Sequence, residues 1–137
     1  MKLIDANLFI YAIGVDHPYR DASVAALQFV QSGDLEANVS TEILQEVLNL
    51  YHRRGQLTIG FQLFDDLIKQ FPAPYVVDLK TMMSARAILE LHPEIDSRDA
   101  VHAATVLQHN LEGIISADRA FDRIEGLTRF DPKELVA

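Results

Sequence analysis

The chain is 137 residues long, 49% apolar and 23% charged, which is the composition of an ordinary globular domain rather than a rod or a disordered tail. It has no cysteine, so disulfide scaffolds, thiol catalysis and cysteine-ligated metal centres are excluded. Twenty acidic residues against twelve basic ones leave a formal charge of −8, and this argues at first against a nucleic-acid ligand, because phosphate binding calls for positive potential.

In chain order, Lys2, Leu3 and Ile4 predict a first strand, followed at once by Asp5 and a helix from Ala6. The apolar run from Leu8 to Ile13 is far shorter than the roughly 20 residues a spanning helix needs, and no leader-like segment precedes it. The expectation is a cytoplasmic protein with no membrane partner. A second helix follows Pro18 and Tyr19, with Val24, Leu27 and Val30 on one face and Ser32-Gly33 as its stop. Residues 37–39 predict a second strand. Leu44, Val47, Leu48 and Tyr51 then recur at helical steps and end at Arg53-Arg54-Gly55, cations before a glycine. Phe61, Phe64, Leu67 and Phe71 mark the next helix, closed by Pro72 and Pro74; at this spacing the rings belong to a core or a dimer surface. Residues 75–77 predict a third strand. Met82, Ala85, Ile88 and His92 mark a helix stopped by Pro93, and Ala100, Ala103, Ala104 and Leu107 another that ends near Asn110. Residues 113–115 predict a fourth strand, and 127–130 a weaker fifth.

Strands alternating with helices of this length predict one α/β domain over residues 1–137, built on a parallel sheet flanked by helices. Ligands of such sheets bind at the carboxyl edge of the strands. Four acids fall there or on helices that start there. Asp5 follows the first strand, Glu46 lies on the helix after the second, Asp99 opens the helix before the fourth, and Asp118 follows the fourth. Converging carboxylates repel one another unless a cation sits among them, and hard divalent ions such as Mg²⁺ and Mn²⁺ favour such oxygens. Each acid also has a plain structural use. Asp5 and Asp118 sit where helix caps belong, Asp99 pairs with Asp96 as a helix start, and Glu46 suits a solvated helix face.

Taken together, the segments Ile4-Asp5-Ala6-Asn7, Val39-Ser40-Thr41-Glu42-Ile43-Leu44-Gln45-Glu46, Asp99-Ala100-Val101-His102-Ala103-Ala104 and Ser116-Ala117-Asp118-Arg119-Ala120-Phe121-Asp122 resemble, in order and spacing, the four motifs of PIN-domain ribonucleases, most of all the VapC-type toxins of VapBC toxin–antitoxin systems. The resemblance implies a central parallel sheet of order 3-2-1-4-5. It implies Asp5, Glu46, Asp99 and Asp118 as the catalytic, metal-holding acids, with Mg²⁺ or Mn²⁺ as cofactor and RNA as substrate. The six-residue interval from the serine selects Glu46 over its neighbour Glu42. It further implies a VapB-like antitoxin that covers the acidic pocket with a basic side chain, and homodimer contacts from the early helices, roughly 22–71, within a dimer or larger assembly. Asn7 is a candidate to orient Asp5, and Ser116 to hydrogen-bond a carboxylate or a phosphate.

Arg98, Arg119 and Arg123 stand near the acids and could meet phosphates or merely balance charge. Asp122 reads as a surface acid, and His102, one turn after Asp99, as a satisfied helix-face histidine. Two rival classes remain open: a non-catalytic PIN-like module that binds RNA or protein, and a phospho-acceptor receiver. The second wants an acidic pair after the first strand, where Ala6 and Asn7 stand instead.

Overall fold

Leu3 and Ile4 are neighbours in β1 (Lys2–Ile4), yet they bury against different cores, and Ile114 and Ile115 of β3 (Ile114–Ile115) divide in the same way. The two-residue period of a strand sends alternate side chains to opposite faces. The result, in a computed structural model covering residues 1–137, is a three-layer α/β architecture. Ile4 and Ile115 face a core completed by α1 (Ala6–Ile13), α2 (Arg20–Ser32), α3 (Thr41–Arg53) and α4 (Leu57–Gln70). Leu3 and Ile114 face one completed by α5 (Leu79–Leu91), α6 (Ser97–Gln108) and Phe121, which is fully buried. The sheet also contains β2 (Ala37–Asn38) and β4 (Arg129–Phe130), and α7 (Pro132–Leu135) closes the chain.

The four strands are parallel and run in the order β2-β1-β3-β4, with Leu3 opposite Asn38 on one side and Ile114 on the other. After β1 the chain passes to β2 on one flank and returns later to β3 on the other, so the topological switch lies between β1 and β3. The third predicted strand is not formed. Residues 75–77 shrink to one parallel bridge between Tyr75 and Ser40, on the β2 flank of the sheet. The reason is local. Tyr75 exchanges backbone bonds with Val39 and Thr41, but α3 starts at Thr41, and the Val77 amide is taken by the Thr41 hydroxyl at 3.0 Å. Asp78 then caps α5, leaving no extended partner to pair with. The order 3-2-1-4-5 therefore persists as four paired strands with a vestigial edge.

Seven consecutive residues of α6, Ala100 to Val106, are buried, so this helix has no solvent face over that stretch. No helix is long and apolar enough to cross a membrane. Close approach of β3 to β4 depends on Gly113, where an added Cβ would lie 2.1 Å from the Thr128 carbonyl oxygen. Gly113→Ala is expected to destabilise the fold by about 2 kcal/mol or more through this overpacking. A urea midpoint equal to wild type would show that the strand pair can give way.

Candidate active site

The carboxyl ends of β1 and β3 are held side by side by the ladder, where the Asp5 amide donates to the Ile115 carbonyl at 3.0 Å. Asp5 is buried and occupies the N-cap position of α1, yet its side chain accepts no bond from the helix. Its Oδ2 instead accepts a 2.6 Å hydrogen bond from the Ser116 hydroxyl. That hydroxyl in turn accepts the Asp118 amide at 3.0 Å, so one fully buried oxygen links both strand-end acids. Asp118 does cap: its Oδ1 accepts from the Ala120 amide at 2.9 Å and starts the 3-10 turn Arg119–Arg123.

On α6, capping falls to Asp96, whose Oδ1 accepts from the Arg98 amide at 2.8 Å. Asp99, in the first turn, is thereby left without a capping task. On α3, Ser40 caps through the Ile43 amide, which sets the helix so that Glu46 reaches the same hollow. The pocket has a volume of about 360 Å³, and its lining includes Asp5, Asn7, Glu46, Asp99 and Asp118, with Arg53 and Arg98 also on its wall. Glu42 does not line it. Asn7 lines it but makes no hydrogen bond to Asp5.

The largest departure from the sequence expectation is His102. It is not a helix-face residue: it is fully buried, and its Nε2 lies 2.8 Å from Glu46 Oε1. Its Nδ1 has no partner. Ligand atoms of Asp5, Glu46 and His102 fall within 4.8 Å of one another, close enough to hold an ion. The Nε2–Oε1 distance is that of a hydrogen bond, however. With Nδ1 lacking an acceptor, the proton belongs on Nε2 and is donated to Glu46. His102 is therefore a support for Glu46 rather than a ligand. The signal in the sequence was the run Ala-Val-His-Ala-Ala, small and apolar on every side of a helix, which leaves no polar face for a histidine.

The electrostatics report crowded negative charge. Burial raises the Asp5 pKa above its ordinary value, and Glu46 and Asp118 add to this while His102 and Ser116 oppose it. Asp99 is pushed up to about 7, chiefly by burial and then by Asp118 and Asp5. Burial pulls His102 down, but its bond to Glu46 and the charges of Glu46, Asp5 and Asp99 outweigh that and raise it. Arg98 is paired with Asp96, and Asp122 is exposed and paired with Arg129. Arg119 and Arg123 are exposed and form no ion pair.

A family model described as "PIN domain" matches residues 2–127. The chain belongs to the PIN-domain family. Its curated relatives include the VapC ribonuclease Mb1869c of Mycobacterium bovis, 27% identical over 129 residues that cover 94% of this chain and 98% of the relative. Ribonuclease VapC23 of Mycobacterium tuberculosis is 29% identical over 121 residues, covering 86% and 93%. Among solved structures, this PIN domain is similar to FitAcB from Neisseria gonorrhoeae, with a TM-score of 0.73 at 20% identity and coverage of 97% and 99%. VapBC2 from Rickettsia felis bound to a DNA fragment from its promoter scores 0.72 at 16% identity, covering 95% and 98%.

Proposed function

We propose that this PIN domain is a VapC-type endoribonuclease that hydrolyses RNA phosphodiester bonds with Mg²⁺ or Mn²⁺ held by Asp5, Asp99 and Asp118, with Glu46 completing the set. The observation that carries the reading is the meeting of Asp5, Glu46, Asp99 and Asp118 in one pocket at the β1–β3 switch, where the fifth carboxylate of the lining, Asp96, is already paired with Arg98. The donor set fits a hard divalent ion, because the four acids offer carboxylate oxygens and the crowding that raises the Asp99 pKa is what a cation would relieve. When bound, such an ion polarises a phosphoryl oxygen and lowers the pKa of a coordinated water.

The chain's own residues do the rest. Ser116 fixes Asp5, so that its second oxygen faces the pocket, and sets Asp118 beside it. His102 locks one oxygen of Glu46 and leaves the other to orient a water molecule. Arg53 and Arg98 on the pocket wall offer charge to the phosphates on either side of the scissile bond. In such a protein, working in the cytoplasm, the acidic pocket also suits a basic side chain of a VapB-like antitoxin, within a homodimeric or larger assembly; the toxin–antitoxin complexes of similar fold are in line with that partner.

Two measurements test this. Single-stranded RNA should be cut in Mn²⁺ or Mg²⁺, and cutting should cease with EDTA; persistent cleavage in EDTA would overturn the metal role. The metal-free protein should also lose thermal stability as pH rises from the ordinary Asp value of 3.8 through about 7. In that window folded Asp99 holds a proton that the unfolded chain releases, so raising the pH favours unfolding. Mn²⁺ should remove the trend and raise the melting temperature at pH 8, through the ~2.7 kcal/mol of added stability expected at a hundredfold excess over Kd. A melting curve blind to Mn²⁺ would leave the acids without their ion.

A further inference from the structure

Past the pocket, α1 continues its inward stripe. Asn7 and Ile10 line the pocket, and Tyr11 follows Asn7 by four residues, one turn farther along the same face. Burial, and then the charges of Asp5 and Asp118, raise the Tyr11 pKa, so its hydroxyl end stands within the field of the acids. On this ring lies His17, centroids 4.0 Å apart and planes 10° from parallel. His17 is exposed, yet it is held twice, by the stack and by the Tyr19 amide, which donates to its Nδ1 at 3.1 Å. Tyr19 stands 6.3 Å from both rings, so it flanks the pair rather than covering either outer face. Its hydroxyl donates to Asp131 at 2.9 Å, and Arg129 ties Asp131 to the Ser116 carbonyl at the end of β3. The rings are thus braced against the same strand end that carries the acids.

An exposed imidazole fixed in this way, with its outer face open, is a prepared stacking surface. Bases of unpaired RNA stack on aromatic faces without regard to sequence. Two cations accompany the surface: Lys133, whose Nζ sits 4.4 Å over the Tyr19 ring, and the unpaired Arg119 beside Asp118. We propose that the Tyr11–His17 stack, braced by Tyr19, is a nucleobase platform that receives one unpaired base next to the scissile phosphodiester, while Arg119 and Lys133 meet the adjoining phosphates. This rests on the ribonuclease reading above and adds where the strand lies. The platform selects single-stranded over paired RNA, because a paired base cannot leave its stack to reach His17.

The test is a thermodynamic cycle on a short single-stranded RNA cut in Mn²⁺, compared with the same RNA carrying one abasic residue, placed in turn at each of the three nucleotides on either side of the cut. With wild-type protein, one abasic position should lower kcat/KM roughly tenfold, mainly through KM, the size of one stacked base. His17→Ala should lose the same factor on intact RNA and show no further loss on the abasic RNA, because the partner ring is already gone. His17→Phe should restore the dependence on the base. A 2-aminopurine at that position should be quenched on binding to wild type and less so with His17→Ala. Equal abasic losses in wild type and His17→Ala, or no abasic loss in wild type, would overturn the platform and leave the nuclease intact. Failure of wild type to cut any RNA in Mn²⁺ would instead remove the nuclease reading, and the platform with it.

Discussion

Asp5→Asn and Asp118→Asn should each abolish divalent-ion-dependent cleavage while making the metal-free protein more stable. Loss of a supporting partner to a ligand lowers metal affinity or activity by ~10- to 100-fold, and loss of a ligand itself should exceed that. The second half of the expectation has the opposite sign and is the more diagnostic. Asp5 is buried with its pKa raised by desolvation and by Glu46 and Asp118, so an uncharged amide relieves both causes. Asparagine at 118 can still accept from the Ala120 amide, so the 3-10 turn keeps its cap. Melting temperature without metal should rise, and the gain on adding Mn²⁺ should vanish. A variant that keeps full cleavage would sink the four-acid mechanism. One that merely unfolds would show these acids to be structural, and the opposite sign of the stability change separates the two cases.

His102→Leu should leave a folded protein with cleavage reduced ~10- to 100-fold, and Mn²⁺ affinity should fall with it. Leucine is close in volume and removes the unpartnered Nδ1 from a fully buried position, so stability should change little. What it removes is the Nε2 donor that holds Glu46. Glutamine places an amide nitrogen near the Nε2 position and should recover much of the lost activity; asparagine, one carbon shorter, should not. A purely structural histidine would give the reverse ranking, with leucine the best replacement by every measure. Calorimetry with Mn²⁺ on the three variants decides between them without reference to turnover.

The architecture was legible where a segment has one environment throughout. The apolar pair Ile114-Ile115 marks a strand buried on both faces and the stripe of α3 declares its buried side, whereas the equally apolar Val76-Val77 forms no strand and leaves Val76 exposed, and α4 turns Phe61 to solvent and Leu63 to the core. Residues 75–77 have the same composition as a strand, but whether they pair depends on where α3 begins in space, which their own sequence does not contain. Asp5, Asp99 and Asp118 are legible because each stands at a strand end or in a helix's first turn, and Glu46, in the middle of α3, only through its interval from Ser40. That Asp5 and Asp118 share one hydroxyl is not legible, since Ser116 meets Asp5 across 111 positions of chain. His102 is fully buried because the stretch of α6 that carries it, Ala100 to Val106, has no solvent face, so helical period alone does not place it. The Tyr11–His17 stack is not legible in the sequence, because six residues across a helix end give no period to read.

Three of the four strand ends in this sheet lead directly, or within three residues, into an aspartate or serine at a helix start whose side chain caps that helix: Ser40, Asp118 and Asp131. Asp5 is the fourth, and it alone leaves its helix uncapped. A missing cap costs a helix about 1 kcal/mol, so α1 is held in place by its packing rather than by its own start. An edge of capping residues is thus a ready supply of carboxylates and hydroxyls already aimed at one place. Converting such an edge into a reaction centre asks little of the fold: one aspartate is excused from its helix, and a neighbouring serine turns it toward the hollow.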